Sequence, residues 1–126
     1  MPSETPDRPA TTPPALVLLV EDSAIIAMNT ESLLLELDVG AVRTAASVGE
    51  ALALIEAELF DLAILDFNLG NEDCLPIAER LAAEHVPIVF ATGFGDDLKV
   101  NGAWSTVPVL KKPYSFSDLE RIIRGM

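Results

Sequence analysis

Short apolar runs that stop on a polar residue recur along this chain and constrain its fold more than any other feature. Ala-Leu-Val-Leu-Leu-Val at 15–20 runs straight into Glu21-Asp22, and similar runs occupy 62–65, 87–91 and 107–110. Each is too short for an ordinary helix, and unbroken apolarity marks a strand buried on both faces. A weaker run at 41–46 reads as an edge strand. Between the runs, helical spacing of apolar residues appears at 24–37, 48–57, 76–83 and 117–124. Ser47 followed by Glu50 reads as a capping box, and Gly40 stands where the first helix should have ended. One more helix is expected over 96–103, short because Asn101-Gly102 weakens it.

Strands alternating with helices require parallel pairing through right-handed crossovers. The expected class is therefore α/β, a (βα)5 three-layer sandwich with helices on both faces of one sheet. The chain's 126 residues, half of them hydrophobic, supply one domain with a sizeable core. Residues 1–14 hold prolines at 2, 6, 9, 13 and 14 and almost no apolar side chains, so a disordered tail is expected there and the domain over 15–126. A net charge of −12 repels phosphates and argues against nucleic acid or an anionic membrane as partner. Cys74 is the lone cysteine and has no internal disulfide partner, which suits a reducing cytoplasm. No apolar stretch approaches the ~20 residues of a membrane span, and the amino terminus lacks a signal peptide's basic start.

In open parallel sheets ligands bind beyond the carboxyl ends of the strands, where the strand order switches. Here the first strand ends in Glu21-Asp22, the third in Asp66, the fourth in Thr92 and the fifth in Lys112. Carboxylates crowded on one rim must protonate or share a cation, and oxygen ligands with waters favour magnesium.

Val20-Glu21-Asp22, Leu65-Asp66, Ala91-Thr92-Gly93 and Lys112-Pro113 together resemble the receiver domain of bacterial two-component response regulators. The resemblance implies a flavodoxin-like sheet of order 2-1-3-4-5. It implies that Asp66 takes a phosphoryl group from a phosphohistidine, borne by a histidine kinase or histidine phosphotransfer protein. Glu21 and Asp22 match the acid pair that holds magnesium with Asp66, Asp22 being the more direct ligand. Asn68 matches the position whose backbone carbonyl completes the metal site. Thr92 and Lys112 match the groups that contact and neutralise the phosphoryl oxygens. The family lysine directly precedes a proline joined by a cis bond, which selects Lys112 over Lys111 and assigns that role to Pro113.

Two features depart from the common pattern. Val109 stands where the family has an aromatic switch residue, and Leu69-Gly70 replaces the usual Met-Pro. The run Phe90-Ala91-Thr92-Gly93-Phe94 resembles an atypical receiver subset named for Phe-Ala-Thr-Gly, in which the loop and helix after the threonine carry the switch. Phe94 is then a candidate moving aromatic. His85 precedes a strand rather than riding an exposed helix, Cys74 is expected in a polar loop, and Trp104 is expected to pack.

On the first helix, Ile26, Leu33, Leu34 and Leu37, with Thr30 between them, are expected to face the sheet. Ile25, Met28 and Leu35 fall off that stripe and suggest a partner-docking face beside the acids. With no sequence left beyond the fifth helix for an output domain, the reading is a stand-alone receiver, not an enzyme. It signals to a downstream protein by contact or serves as a phosphate sink. The rival reading is an interaction module that no longer phosphorylates. A magnesium-dependent phosphatase is more distant, because no second acid closely follows Asp66.

Overall fold

The computed structural model describes residues 13–70, 72–93, 104 and 106–125. The expected mobile helix at 96–103, Phe94 and residues 1–12 of the expected tail lie outside them. Pro14, at the end of that tail, is buried, and its carbonyl accepts a hydrogen bond from Gly40 N–H at 3.2 Å.

Five strands form one parallel sheet: β1 (Leu16–Val20), β2 (Ala41–Ala45), β3 (Leu62–Asp66), β6 (Ile88–Thr92) and β7 (Val109–Lys111). The spatial order is β2-β1-β3-β6-β7, which is the expected 2-1-3-4-5 with β2 on an edge. Register runs from Val17↔Leu62 between β1 and β3 to Asp66↔Ala91 between β3 and β6, and so aligns the carboxyl ends. The helices among the described residues are α1 (Ala24–Glu36), α2 (Val48–Ala57), α3 (Leu75–Ala83) and α4 (Phe116–Arg124).

Side chains alternate across each strand, so the sheet divides its apolar residues between two cores. Val17, Leu19, Leu62, Ile64, Val89 and Ala91 pack with α1 and α4. Leu18, Val20, Ala63, Leu65, Ile88 and Phe90 pack with α2 and α3. Fully burying each such Leu, Ile or Val contributes roughly 1.5–3 kcal/mol, which is why these strands read as unbroken apolar runs. Trp104 packs as expected, edge to face on Phe90 with centroids 6.0 Å apart.

Local signals set the helix ends. Ser23 accepts from Ile26 N–H at 3.3 Å to start α1, and Asp38, at φ 69°, turns the chain out after it. Gly40 serves a different purpose from the expected helix stop: a Cβ there would lie 2.5 Å from the Ala15 carbonyl oxygen. Ser47 caps α2 through Glu50 N–H, but the Glu50 carboxylate reaches Ala46 N–H rather than closing the box. The reciprocal box occurs at Ser115 and Asp118 of α4.

Two expectations are corrected, at Ile26 and Cys74, and one unexpected element lies between them. Ile26 is not a core residue; it is 38% exposed, and the sheet-facing stripe of α1 is Ala27, Thr30 and Leu34, continuing to Leu37. The small Ala27 lets the helix lie close to the strands, and Thr30 finds a polar partner. Next, Asn68–Leu69 (β4) and Glu72–Asp73 (β5) pair as an antiparallel hairpin that two-residue strands cannot announce by periodicity. Gly70 at φ 66° makes its turn. Finally, the hairpin folds Leu69 and Cys74 inward, so Cys74 is buried at the start of α3 rather than in a polar loop. Burial, reinforced by the charges of Asp73 and Asp66, pushes its thiol up to about 12, which leaves it unreactive at neutral pH.

Candidate functional site

At the carboxyl ends of β1, β3, β6 and β7 the sheet opens into a cleft of about 450 Å³, lined by Glu21, Asp22, Ile26, Asp66, Asn68 and Lys112 among others. Because β1 and β3 are adjacent and in register, Glu21, Asp22 and Asp66 bring carboxylate oxygens within 4.8 Å of one another. Glu21 and Asp66 are 4% and 3% exposed, whereas Asp22 is open to solvent. These are buried charges, and each has partners.

Lys112 supplies the compensating cation. Its Nζ lies 3.0 Å from Glu21 Oε1 and 3.0 Å from Asp66 Oδ2. The Lys112–Pro113 bond is cis, and Lys112 N–H donates to the Thr92 carbonyl at 2.7 Å, which anchors the lysine backbone to β6. Lys111, one residue earlier on β7, is exposed, as alternation requires. Asp66 Oδ1 accepts from Asn68 N–H at 3.2 Å, and Glu21 Oε2 accepts from Ser23 N–H at 3.1 Å.

The charge state follows from burial. Desolvation raises the Glu21 carboxyl above its ordinary value, with hydrogen bonds from Ser23 N–H and Lys112 holding it back. For Lys112 burial pulls the other way, but hydrogen bonds and attraction from Asp66 and Glu21 outweigh it and leave the ammonium raised. Three carboxylates against one ammonium leave the cleft acidic. Their spacing and all-oxygen chemistry fit a hard divalent ion, with Glu21, Asp22 and Asp66 as the donors.

Thr92 ends β6 fully buried beside this cluster, and Gly93 borders the cleft. Val109 lies on edge strand β7, 39% exposed, paired with Phe90 and offering no ring to rotate. Ile25 and Met28 are 81% and 71% exposed and Leu35 is exposed too, so all three do lie off the core stripe. The displaced Ile26, exposed like them, stands at the cleft edge. His85 is exposed in the turn after α3 at φ 62°.

Two contributors escaped the sequence reading. Gly70 has its Cβ position at an ordinary contact distance, 3.7 Å, from Asp22 Oδ2, so it is the left-handed φ of 66° rather than lack of space that favours glycine beside the acid. Thr30 Oγ1 and Tyr114 Oη form a 2.8 Å hydrogen bond behind the cleft. The only hint was a threonine on an otherwise apolar stripe.

Residues 17–124 match the family described as the response regulator receiver domain. The transcriptional regulatory protein PdtaR of Mycobacterium tuberculosis is 34% identical over 109 residues, covering 84% of this chain and 53% of that protein. The chain therefore spans about half the length of the curated relatives it matches. The solution structure of SdrG from Sphingomonas melonis Fr1 superposes with a TM-score of 0.75 at 44% identity, over 85% of this chain and 91% of that one. The BeF3-activated conformation of SdrG from Pseudomonas melonis Fr1 also has a TM-score of 0.75, at 40% identity over 88% and 94%.

Proposed function

The chain belongs to the response regulator receiver domain family, and from that premise we propose that Asp66 accepts a phosphoryl group from a phosphohistidine of a histidine kinase or histidine phosphotransfer protein. The observation that carries this reading is the buried Asp66 carboxylate, held between Lys112 and the Glu21-Asp22 pair at the carboxyl end of the central strand β3. A carboxylate so placed is a nucleophile held in one orientation.

In the transfer, an Asp66 oxygen attacks phosphorus, the P–N bond to the imidazole breaks, and the imidazole leaves with its electron pair. The product on Asp66 is an acyl phosphate. Lys112 turns from the Asp66 oxygen to the phosphoryl oxygens, and the Thr92 hydroxyl donates to another. Gly93 leaves the approach uncrowded. Glu21, Asp22 and Asp66, with the Asn68 backbone carbonyl, would hold magnesium, which neutralises charge on the transferred oxygens. The exposed apolar face of Ile25, Ile26 and Met28 beside the cleft is the surface on which the donor helix docks. Output passes to a downstream protein by contact.

Acetyl phosphate with magnesium, followed by intact-mass measurement, tests the reading. One labile, magnesium-dependent adduct is expected in the wild type, and none in Asp66→Asn. Magnesium affinity should drop sharply in Asp22→Asn and less in Glu21→Gln. An adduct that survives in Asp66→Asn moves the acceptor elsewhere, and a wild type that never forms one supports the interaction-module reading instead.

A further inference from the structure

Thr30 and Tyr114 are an unusual pair for where they stand. Thr30 is 1% exposed, in the middle of α1 on the stripe that faces the sheet. A buried hydroxyl costs roughly 1–3 kcal/mol when it lacks a partner, so the near-isosteric valine would suit this position better on packing grounds alone. Tyr114 packs its ring against the same core, which a phenylalanine would do equally well. Each hydroxyl is explained by the other: the two oxygens are 2.8 Å apart across 84 residues of sequence. Burial pushes the Tyr114 phenol above its ordinary value, with the Thr30 hydroxyl pulling back, so the phenol stays neutral and able to hydrogen-bond at physiological pH.

The bond closes a ring of connections around the cleft. From Glu21 the chain runs through Ser23 into α1 and along it to Thr30, which holds Tyr114. Tyr114 follows Lys112-Pro113, and the Lys112 ammonium returns to Glu21 at 3.0 Å. Lys112 is thus fastened on two sides, by its own N–H to Thr92 on β6 and by Tyr114 to α1. The long flexible lysine side chain needs such a frame, because its own rotamers lose much entropy on being fixed.

We infer that Tyr114 and Thr30 act together as positioning residues for the phosphoryl-transfer site, holding the Lys112 segment against α1 so that the ammonium stands ready over Asp66. The inference rests on the phosphoacceptor reading, and it assigns no contact between either hydroxyl and the phosphoryl group.

Time courses of adduct formation with acetyl phosphate at saturating magnesium test it. Tyr114→Phe and Thr30→Val should each slow the reaction about 2- to 10-fold, the equivalent of one net hydrogen bond. The double variant should be no slower than either single one, and Thr30→Ser should keep the wild-type rate. In a Lys112→Ala background Tyr114→Phe should add nothing, a non-additivity that general loosening of the fold does not produce. A wild-type rate in Tyr114→Phe, or the same slowing on top of Lys112→Ala, overturns the inference. If the wild type itself forms no adduct, the phosphoacceptor reading fails separately. Amide hydrogen exchange then decides whether the brace exists: faster exchange at Lys112 N–H in Tyr114→Phe upholds it, and unchanged exchange removes it.

Discussion

At their carboxyl ends β1, β3, β6 and β7 lead into Glu21, Asp66, Thr92 and Lys112, with two carboxylates and an ammonium drawn inside the protein. Near the amino ends of β3, β6 and β7 lies a larger hollow, about 530 Å³, walled by Leu62, Ile88, Val107, Pro108 and Ile122 among others. The polar groups that line it, Thr106 and Arg121, are exposed. Exposed Asp61 accepts from Ala15 and Leu16 N–H at 3.1 and 2.9 Å, and Arg121 pairs with Asp118 on the surface. The amino end follows ordinary rules of burial, in which apolar residues go in and charges remain wet. The carboxyl end breaks them at a cost of several kcal/mol per desolvated ion, and the excess of carboxylate over ammonium is what suits it to a divalent cation. Cleft volume is therefore a poor guide to chemistry in this molecule; buried charge is the better one.

The contrast is most exposed to test at Lys112. Lys112→Ala leaves Glu21 and Asp66 facing one another without a cation and should destabilise the metal-free protein by about 3 kcal/mol, the low end for a broken buried pair. Saturating magnesium should restore much of that loss, because the ion binds only the folded carboxylate cluster. Denaturant melts with and without magnesium measure both effects. Equal stability of the variant and the wild type without metal would mean that the carboxyl end carries no special electrostatic load.

A smaller effect is expected at the opposite end. Asp61→Ala removes the acceptor for two backbone N–H groups that water can partly replace, so about 1 kcal/mol should be lost. Adduct formation at Asp66 should keep its wild-type rate. A slowed reaction in this variant would show that the two ends are coupled.

The smallest effect concerns acid. The Ser115 backbone N–H, aided by Arg121, holds the Asp118 carboxyl below its ordinary 3.8. A carboxyl lowered by folding stabilises the protein above its unfolded value and stops doing so as pH falls through the lower folded one. Wild type should therefore melt above Asp118→Asn at neutral pH, and the gap should close as pH drops below 3.8. A gap that persists at about pH 2 would assign the difference to the loss of cap geometry rather than charge.

Much of this architecture was legible in the residues alone. Apolar runs of strand length, separated by helical periodicity, specify an alternating parallel fold, because burial on both faces leaves no room for polar residues within a strand. The same logic exposed the site, since the first polar residue after each run must emerge at the carboxyl rim. Glu21, Asp66 and Thr92 were readable for that reason, with Asp22 next to Glu21, whereas the choice of Lys112 over Lys111 came from the resemblance to the family's lysine before proline. Tertiary structure decided what depends on partners distant in sequence. Lys112 meets Asp66 across 46 residues and Thr30 meets Tyr114 across 84, distances over which no local pattern carries information. Ala27 rather than Ile26 faces the sheet because the approach of α1 is set by what it packs against. Cys74 lies inside because a hairpin too short to show periodicity folds over it. Local spacing encodes which elements form, while contact between them determines which side chains are buried, paired and held ready.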